Sequence, residues 1–319
     1  ACGPQHGMTC PLSMLLLGKG QFEEGWRDYE ARWFSKGFSG GKLRHTTHPQ
    51  WDGRIGNGGT ILLWAEQGMG DSIQFIRYVE AVQQRGWKVL VEAPLALKFL
   101  FASLKGIDLV SIGAPLPPFE TQCPLLSLPF VLGTTLDTLP ATIPYLFAEP
   151  ERVAAWQNRL SSTAAPRIGL VWRGNPDHKR DRYRSVTPAR FAPFCQIPGL
   201  TFVSLQKDAR VEELAVLDPS GDRLLNAGPD LQDFSDTAAL ISALDLVISI
   251  DSAVCHLAGA LGVPTWTLLD SGPDWRWMRE REDSPWYPTM RLFRQKHRMD
   301  WEELCQRVEA DLRQMAPSV

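Results

Sequence analysis

The chain has 319 residues, of which 44% are hydrophobic and 22% are charged, and its formal net charge is -3 at pH 7. This length allows two domains, each large enough for its own core. The weak negative charge gives no electrostatic basis for a nucleic-acid partner. No apolar run approaches the roughly 20 residues of a membrane helix, and the start of the sequence lacks the basic and apolar regions of a signal peptide. These features predict a globular protein of the cytoplasm, without a transmembrane segment.

The six cysteines are scattered along the sequence and form no CxxC pair. Closely spaced cysteines usually mark a structural zinc site, so this spacing argues against one. We expect reduced thiols, and the sequence predicts neither a metal site nor a cofactor.

Residues 12–34 contain the first clear pattern. Trp26, Tyr29 and Trp33 recur at i, i+3 and i+7, which places them on one face of a helix. The small and aromatic residues of this stretch resemble those of the second helix of a tetratricopeptide repeat. A single repeat cannot bury its own face, since roughly three or more normally stack. We therefore expect residues 1–39 to form a TPR-like helical segment that docks on the next domain or remains from a longer array, and that offers a contact for another protein.

After a connecting loop over 35–59, strands and helices alternate. Strands are predicted over 60–64, 88–92 and 108–112, and helices over 71–84 and 95–103. This alternation predicts a parallel sheet covered on both faces. Prolines at 140, 144 and 150 interrupt the pattern, and we place a domain boundary at 150.

A second alternation follows in residues 151–319. Its strands are predicted over 168–172, 201–205, 246–250 and 264–269, and a last helix over 301–315 is expected to pack back on the first domain. Neither half contains a GxGxxG motif, which argues against a dinucleotide-binding enzyme. The sequence thus predicts an α/β protein with two Rossmann-like domains, over 40–150 and 151–319.

The stretch from Ile248 to Pro264 indicates a ligand site. A buried strand runs directly into a helix there, with the N-cap residue types Asp251 and Ser252 between them. Gly262 and Pro264 are typical of the end of a helix. Because the start of a helix carries N–H groups without intrahelical partners and a partial positive charge, this position suits a phosphate.

The same stretch resembles the DTxxxHLAxAxGxP signature of family 9 glycosyltransferases, the bacterial heptosyltransferase-like group, with Ser252 in place of the threonine. Further similar runs are Trp64–Asp71, Ile168–Trp172 and Ser284–Pro288. The resemblance implies the GT-B architecture, in which two Rossmann-like domains face one cleft. It is nearest to the bacterial subgroup in which tetratricopeptide repeats precede the transferase.

The resemblance also implies roles for particular residues. Asp71, at the end of a glycine-containing turn, matches the proposed general base of the family. The alternative is that Asp71 only caps its helix. Glu66, Gln67 and Gly70 of the same turn are further possible site residues.

The loop after the strand over 168–172 carries four basic residues within 179–184. Arginine binds phosphate oxygens bidentately, and Arg184 and Ser185 match the phosphate-contacting segment of the family. Asn175 and Arg182 are further possible members. A charge run is also typical of a solvated surface, and this alternative stays open.

At the opening of the helix near 252, Ser252 and the backbone of Ala253 are candidates to hold a diphosphate. His256, one turn further on, is a candidate donor to a phosphate or to the sugar, or else a structural histidine. Asp251 either binds sugar hydroxyls or caps the helix. Lys207 lies in a loop comparable to those that hold the nucleotide in similar enzymes, and is a candidate phosphate ligand.

These residues predict an inverting, metal-independent glycosyltransferase. It would move a sugar from a nucleoside-diphosphate sugar, such as an ADP-heptose, to a hydroxyl of a glycan or protein acceptor. Two alternatives remain: a UDP-sugar epimerase on the same fold, and a non-catalytic binding protein linked to tetratricopeptide repeats. The sequence does not indicate the sugar, the base, the acceptor or the role of the run Pro273–Trp277.

Overall fold

The structure, a computed structural model, describes residues 6–35, 43–163 and 166–317, with side chains from residue 11 onwards. Residues 1–5 and 36–39 of the predicted TPR-like segment lie outside these ranges. The chain divides into two compact units at Tyr145–Leu146, and the segment Asp274–Arg281 belongs with the first unit. The domain boundary predicted at 150 assigns Asp274–Arg281 to the second domain, whereas the structure assigns this segment to the first unit.

The first unit is built on a four-stranded parallel sheet in the order β3-β2-β1-β4. β1 lies inside the sheet, where Leu62 is opposite Leu90 of one neighbouring strand and Gln122 of the other. The elements are α1 (His6–Gly18), α2 (Phe22–Tyr29), β1 (Thr60–Trp64), α3 (Met69–Phe75), α4 (Val79–Gln83), β2 (Lys88–Ala93), α5 (Leu95–Phe101), β3 (Ile107–Ser111), β4 (Thr121–Pro124) and α6 (Leu128–Val131), with 3-10 helices at Glu30–Phe34, Ile76–Tyr78, Leu125–Ser127 and Trp275–Trp277.

The predicted strands of this unit are confirmed, but the single helix predicted over 71–84 is wrong. A 3-10 stretch separates α3 from α4. Within it the buried Arg77 donates from Nε to the carbonyl oxygen of Gln74 at 2.9 Å. That carbonyl would otherwise accept the N–H of Tyr78 in a continuous α-helix. β4 was not predicted, because Thr-Gln-Cys-Pro has no apolar periodicity.

The helices α1 and α2 form a hairpin that contacts the 3-10 helix Trp275–Trp277 and α6. Trp26 and Tyr29 are buried. The ring of Trp26 meets that of Trp275 edge to face, with centroids 5.2 Å apart. Trp26 and Tyr29 of the predicted aromatic face are thus covered by the rest of their unit. The prediction that Trp33 shares their helix is wrong, because α2 ends at Tyr29 and Trp33 lies in the 3-10 helix Glu30–Phe34.

The second unit contains a six-stranded parallel sheet in the order β10-β9-β8-β5-β6-β7. β8 lies between β9 and β5, and all five of its residues are buried. The elements are α7 (Pro150–Arg159), β5 (Arg167–Val171), α8 (Asp181–Arg184), α9 (Ala192–Cys195), β6 (Thr201–Ser204), α10 (Val211–Leu217), β7 (Leu224–Asn226), α11 (Phe234–Ile241), β8 (Leu246–Ile250), α12 (Ala253–Ala260), β9 (Thr265–Leu269), β10 (Met290–Arg294) and α13 (Trp301–Met315).

The four strands predicted here are confirmed within one or two residues, whereas β7 and β10 were missed. α13 has the predicted bounds and buries one face, formed by Trp301, Leu304, Cys305, Val308 and Leu312. This face packs on α9 and β10 of its own unit. The expected packing of this helix on the first domain stays a prediction.

Four cysteines, Cys123, Cys195, Cys255 and Cys305, are free and buried. Cys2 and the side chain of Cys10 lie outside the described residues.

Among the helices that the structure describes, none combines the length and the apolarity needed to cross a membrane.

Candidate functional site

In the first unit the turn after β1 positions Asp71. The chain leaves the buried strand at Trp64, and Gly68 adopts the extended conformation of an N-cap before α3 begins at Met69. The carboxylate of Asp71, in the first turn of α3, accepts a hydrogen bond from the N–H of Gly68, with Oδ2 2.8 Å from the nitrogen. The capping contact expected for this residue is therefore present.

The other carboxylate oxygen of Asp71 accepts a hydrogen bond from the guanidinium of Arg276. Arg276 is held on two further sides. Its Nε donates to Oε1 of Gln74 at 2.6 Å, and its Nη1 donates to Oδ1 of Asp274 at 2.8 Å. The side chain of Asp71 is 19% exposed. Because a carboxylate has about four lone-pair positions, Asp71 can accept a further proton donor while both oxygens stay anchored.

Arg276 remains a cation although it is buried. Burial alone opposes the charge, but the fields of Asp274 and then Asp71 raise the pKa of Arg276 above its ordinary value. Its guanidinium also lies over the ring of Trp275, 4.3 Å from the centroid. The arginine is therefore a fixed positive group that sets the position of the Asp71 carboxylate.

Sequence reasoning did not find Arg276. It noted the run that contains this residue but gave the run no role, because 205 positions separate Arg276 from Asp71. The available signal was an arginine between two tryptophans, Trp275 and Trp277. The structure shows that Trp275 anchors the segment against Trp26 and Tyr29.

Glu66 has a structural task. Its side chain is fully buried and accepts two hydrogen bonds from Arg32, at 3.0 and 2.9 Å. The backbone N–H of Leu126 donates to the same carboxylate. Despite its burial, the pKa of Arg32 lies above its ordinary value because Glu66 and then Glu30 face it. The ion pair connects the helical hairpin to the end of β1. We therefore assign no catalytic role to Glu66.

Two other members of this turn were named as possible site residues. Gln67 donates from Nε2 to the hydroxyl of the buried Tyr29 at 3.0 Å. Gly70 lies in the first turn of α3. Their contacts support the conformation of the turn around Asp71.

In the second unit, β8 leads directly into α12, as predicted. Ser252 is the N-cap, and its Oγ accepts a hydrogen bond from the N–H of Val254 at 3.3 Å. Its hydroxyl also lies 3.1 Å from that of Ser249. Ser252 and Ala253 are half-buried. The first N–H groups of a helix have no intrahelical acceptor, so this half-buried end of α12 has the chemistry of an anion site.

Arg184 lies beside this helix start. The loop after β5 folds back through the short helix α8, and Arg184 donates from Nη1 to the backbone carbonyl of Asp251 at 3.1 Å. Its Nε donates to Asp181 at 3.1 Å. Ser185 accepts the N–H of Gly174 at 3.0 Å and fixes the loop. The structure therefore brings together Arg184, Asp251 and Ser252, which the sequence placed in one site.

His256 is buried, with its Nδ1 2.9 Å from the hydroxyl of Tyr287. Tyr287 packs closely on α12 because Gly259 has no side chain: a Cβ there would lie 2.5 Å from the tyrosine ring. The Tyr287 hydroxyl thus sets the orientation of the imidazole. The predicted structural role of His256 is present, and its role toward a ligand stays a prediction.

Asp251, Cys255 and His256 place one ligand-type atom each within 4.8 Å of one another. Metal ligation by cysteine requires the thiolate. Burial and the neighbouring Asp251 raise the pKa of Cys255, and its Sγ donates to the backbone carbonyl of Ser252. This cluster therefore does not have the chemistry of a metal site, and we assign none to it.

The comparison with protein families concerns residues that lie mostly in the second unit. Residues 203–302, which contain β8 and α12, match the model of Glycosyltransferase family 9 (heptosyltransferase). This part of the chain is similar to that family. Asp71 and Arg184 come before the matched range in the sequence. Arg276 lies within it.

Known proteins extend this similarity to most of the chain. Protein FlbA of Caulobacter vibrioides is 31% identical over 336 aligned residues, which cover 98% of this chain and 56% of FlbA. The chain thus spans about half the length of this relative. A glycosyl transferase family 9 structure from Veillonella parvula is 14% identical, with a TM-score of 0.58 over 81% of this chain and 91% of that one. The E. coli ADP-heptose LPS heptosyltransferase II is 16% identical, with a TM-score of 0.57 over 80% and 99%. The fold is therefore α/β with parallel sheets, similar to that of GT-B heptosyltransferases.

The three remaining candidate residues have other contacts. Lys207 is exposed and donates from Nζ to the backbone carbonyl of Gln232 at 2.6 Å. Arg182 donates to the hydroxyl of Tyr183. Asn175 accepts the N–H of Asp177 in a tight turn. Among the contacts within residues 6–35, 43–163 and 166–317, none joins these three side chains to Ser252 or Arg184, so their predicted roles stay predictions.

Proposed function

We propose that the chain transfers a sugar from a nucleoside-diphosphate sugar to a hydroxyl of a glycan or protein acceptor, with inversion and without a metal. The observation that carries the proposal is the group formed by Arg184, Asp251 and the capped start of α12. It places a guanidinium beside the N-terminus of a helix that lies within residues 203–302, the range that matches a glycosyltransferase family.

On the donor side, the diphosphate is the part of the substrate that this group recognises. The partial positive charge of α12 and the Arg184 guanidinium both favour phosphate oxygens. As the bond between the anomeric carbon and the phosphate oxygen breaks, its electron pair moves to the diphosphate. Donors fixed in advance stabilise that growing charge most effectively, and His256 is the further candidate donor. An ADP-heptose is a fitting donor because the similar E. coli enzyme is described as an ADP-heptose heptosyltransferase.

On the acceptor side, Asp71 is the proposed general base. It takes the proton of the acceptor hydroxyl as that oxygen attacks the anomeric carbon, and attack from the side opposite the leaving group inverts the configuration. Arg276 and the N–H of Gly68 hold the carboxylate in one orientation while this occurs. Proton transfer by a positioned group contributes roughly 10²–10⁴-fold to rate.

The helical hairpin is proposed to offer a contact for another protein. Apolar side chains of this segment are exposed, namely Leu12, Met14 and Phe34, at 47%, 44% and 65%. A partner protein would remove these apolar side chains from water. We also propose a cytoplasmic location, which the four free cysteines of the described residues support.

Product analysis with a panel of nucleoside-diphosphate sugars tests the function. We expect slow release of nucleoside diphosphate without an acceptor and faster release with the acceptor present. An isomerised nucleotide sugar would instead support an epimerase. Tight binding without either product would support a binding protein, and both of these outcomes contradict the proposal.

A further inference from the structure

An apolar patch lies on the outward face of α5 in the first unit. Leu95 and Phe99 are one helical turn apart, so they share a face of the helix, and they are 66% and 61% exposed. Ile112 is 46% exposed and lies near them, because its N–H donates at 3.0 Å to the carbonyl oxygen of Ala93, two residues before Leu95. The three side chains therefore form one exposed surface, which singly scattered apolar residues would not.

The loop after β3 extends this patch. Residues 112–118 read Ile-Gly-Ala-Pro-Leu-Pro-Pro and contain no charged side chain. All of them except Leu116 are exposed. Apolar surface is more stable when it is removed from water. The patch and the loop thus have the composition of a surface that is covered by a partner.

The charge around the patch is positive, although the formal net charge of the whole chain is -3. The charged residues from position 86 to position 118 are Lys88, Glu92, Lys98, Lys105 and Asp108. Glu92 is buried and pairs with Arg44. Three lysines against the one exposed aspartate leave a net charge of +2. Among the residues that the structure describes, no carboxylate pairs with any of these lysines.

The patch lies at a functional edge of the sheet. Leu95 begins α5 just after β2 ends at Ala93, and Ile112 directly follows β3. Because β1, β2 and β3 are parallel neighbours, their carboxyl ends meet at one edge, where the turn that leads to Asp71 also begins. Ligands of parallel sheets bind at this edge. A partner on the patch would therefore hold the edge that carries Asp71 close to its own surface.

The lysines distinguish between two kinds of partner. Lysine is depleted in interfaces between proteins, whereas lysines beside exposed leucine and phenylalanine are typical of elements that lie on a membrane surface. We propose that the first unit docks peripherally on an anionic lipid surface. Leu95, Phe99 and Ile112 enter the boundary between headgroups and acyl chains, and Lys98 and Lys105 lie against the lipid phosphates. This docking goes beyond the proposed function and does not depend on it.

Sedimentation of the whole chain with lipid vesicles tests the proposal. One set of vesicles is phosphatidylcholine alone, and the other is an equal mixture of phosphatidylcholine and phosphatidylglycerol. A lysine near an anionic surface contributes about fivefold to affinity. Two net positive charges should therefore make binding to the anionic vesicles about twentyfold tighter than binding to the neutral ones. Added salt should reduce this difference, because it screens the charges.

Two double variants locate the binding. Leu95→Gln with Phe99→Gln removes exposed apolar side chains and should weaken binding to the anionic vesicles about tenfold or more. Lys98→Gln with Lys105→Gln should weaken that binding about twentyfold and leave binding to the neutral vesicles unchanged. All four side chains are exposed or half-buried, so both variants should keep the fold, which circular dichroism checks.

The matched controls are Val211→Gln and Lys19→Gln, which change exposed residues outside the patch. Both should bind the anionic vesicles as the wild type does. Equal binding to the two kinds of vesicle would overturn the proposal, as would binding to neither. A loss in either control as large as the loss in the patch variants would also overturn it.

A second copy of the chain is the competing occupant of the patch. In that case sedimentation velocity would show a dimer that Leu95→Gln with Phe99→Gln dissociates, and no vesicle would be bound, which contradicts the proposal. Vesicle binding is measured without a donor sugar. Its result is therefore separate from that of the sugar-transfer assay, and either proposal can fail while the other holds.

Discussion

At the scale of single residues, the central feature is that Asp71 accepts hydrogen bonds from two donors, one near it in the sequence and one far from it. The N–H of Gly68 comes from the turn that the sequence predicts, whereas Arg276 comes from a segment 205 positions away. The role of Asp71 as a helix cap is therefore compatible with its proposed role as the general base. The cap and the arginine orient the carboxylate, and its remaining lone pairs are left for a substrate hydroxyl.

Arg276→Lys should lower kcat with little change in the KM for the donor. Lysine keeps the charge but cannot contact Asp71, Gln74 and Asp274 with one planar fork. The expected loss is about tenfold or more, because a small misplacement of a catalytic group is costly. Steady-state kinetics of the two substrates measures it.

The matched control for this variant is Asp274→Asn, which alters another carboxylate partner of Arg276 and leaves Asp71 intact. It should reduce kcat less than Arg276→Lys does. A larger loss in Asp274→Asn, or an unchanged kcat in Arg276→Lys, would show that Arg276 does not position Asp71.

Arg184→Ala should weaken binding of a nucleoside diphosphate by about ten- to a hundredfold, and that of the nucleoside hardly at all. The reason is that only a charge-assisted contact to phosphate is lost. Arg182→Ala is the comparison within the same short helix, and it should have a smaller effect because Arg182 faces Tyr183. Equal losses for nucleotide and nucleoside would make Arg184 a structural residue.

At the scale of elements, buried ion pairs connect pieces that the sequence presents separately. Arg32 follows α2 in the chain and Glu66 follows β1, and their side chains meet in the interior. Removing one partner of a buried pair leaves the other charge uncompensated, which typically costs about 3–5 kcal/mol. The helical hairpin is thus part of the first unit and not an independent appendage.

Glu66→Gln should lower the free energy of unfolding by about 3 kcal/mol, near the lower end of this range, because Arg32 keeps its contact with Glu30. Urea unfolding measures the change. Glu24→Gln, on the exposed face of α2, should change it by less than about 0.5 kcal/mol. Similar stabilities of wild type and Glu66→Gln would mean that the pair does not fasten the hairpin.

The elements also show where prediction from sequence succeeds. β1, β8 and α13 were found with their observed bounds, because a short buried apolar run and a one-sided helical face are local patterns. β4 and β10 were missed because their pairing partners, not their own residues, make them strands. The break between α3 and α4 depends on the buried Arg77, whose contacts with Gln74 and Pro140 are formed only in the fold.

The same distinction applies to the candidate site. Ser252 and Asp71 could be predicted because each follows a strand and begins a helix, which is a local signal. Arg184 could be predicted from its place in a basic loop after β5. Arg276 and the ion pair of Glu66 could not, because each depends on contacts between distant parts of the chain.

At the scale of the whole molecule, the chain combines a segment similar to family 9 glycosyltransferases, residues 203–302, with a unit that holds a positioned aspartate. The relative FlbA is longer, and this chain spans 56% of it. We propose that α12 and Arg184 bind the donor diphosphate and that Asp71 accepts the acceptor's proton. The account therefore depends on whether Asp71 acts in the chemical step.

The most direct measurement is sugar transfer by Asp71→Asn, together with its affinity for nucleoside diphosphate. Asparagine keeps the shape of the side chain but is a far weaker base, so turnover should fall by about a hundredfold or more while nucleotide affinity is unchanged. A melting temperature within a few degrees of wild type would show that the fold around Arg276 is kept. Turnover equal to that of the wild type would contradict the account, because the proton would then leave by another route.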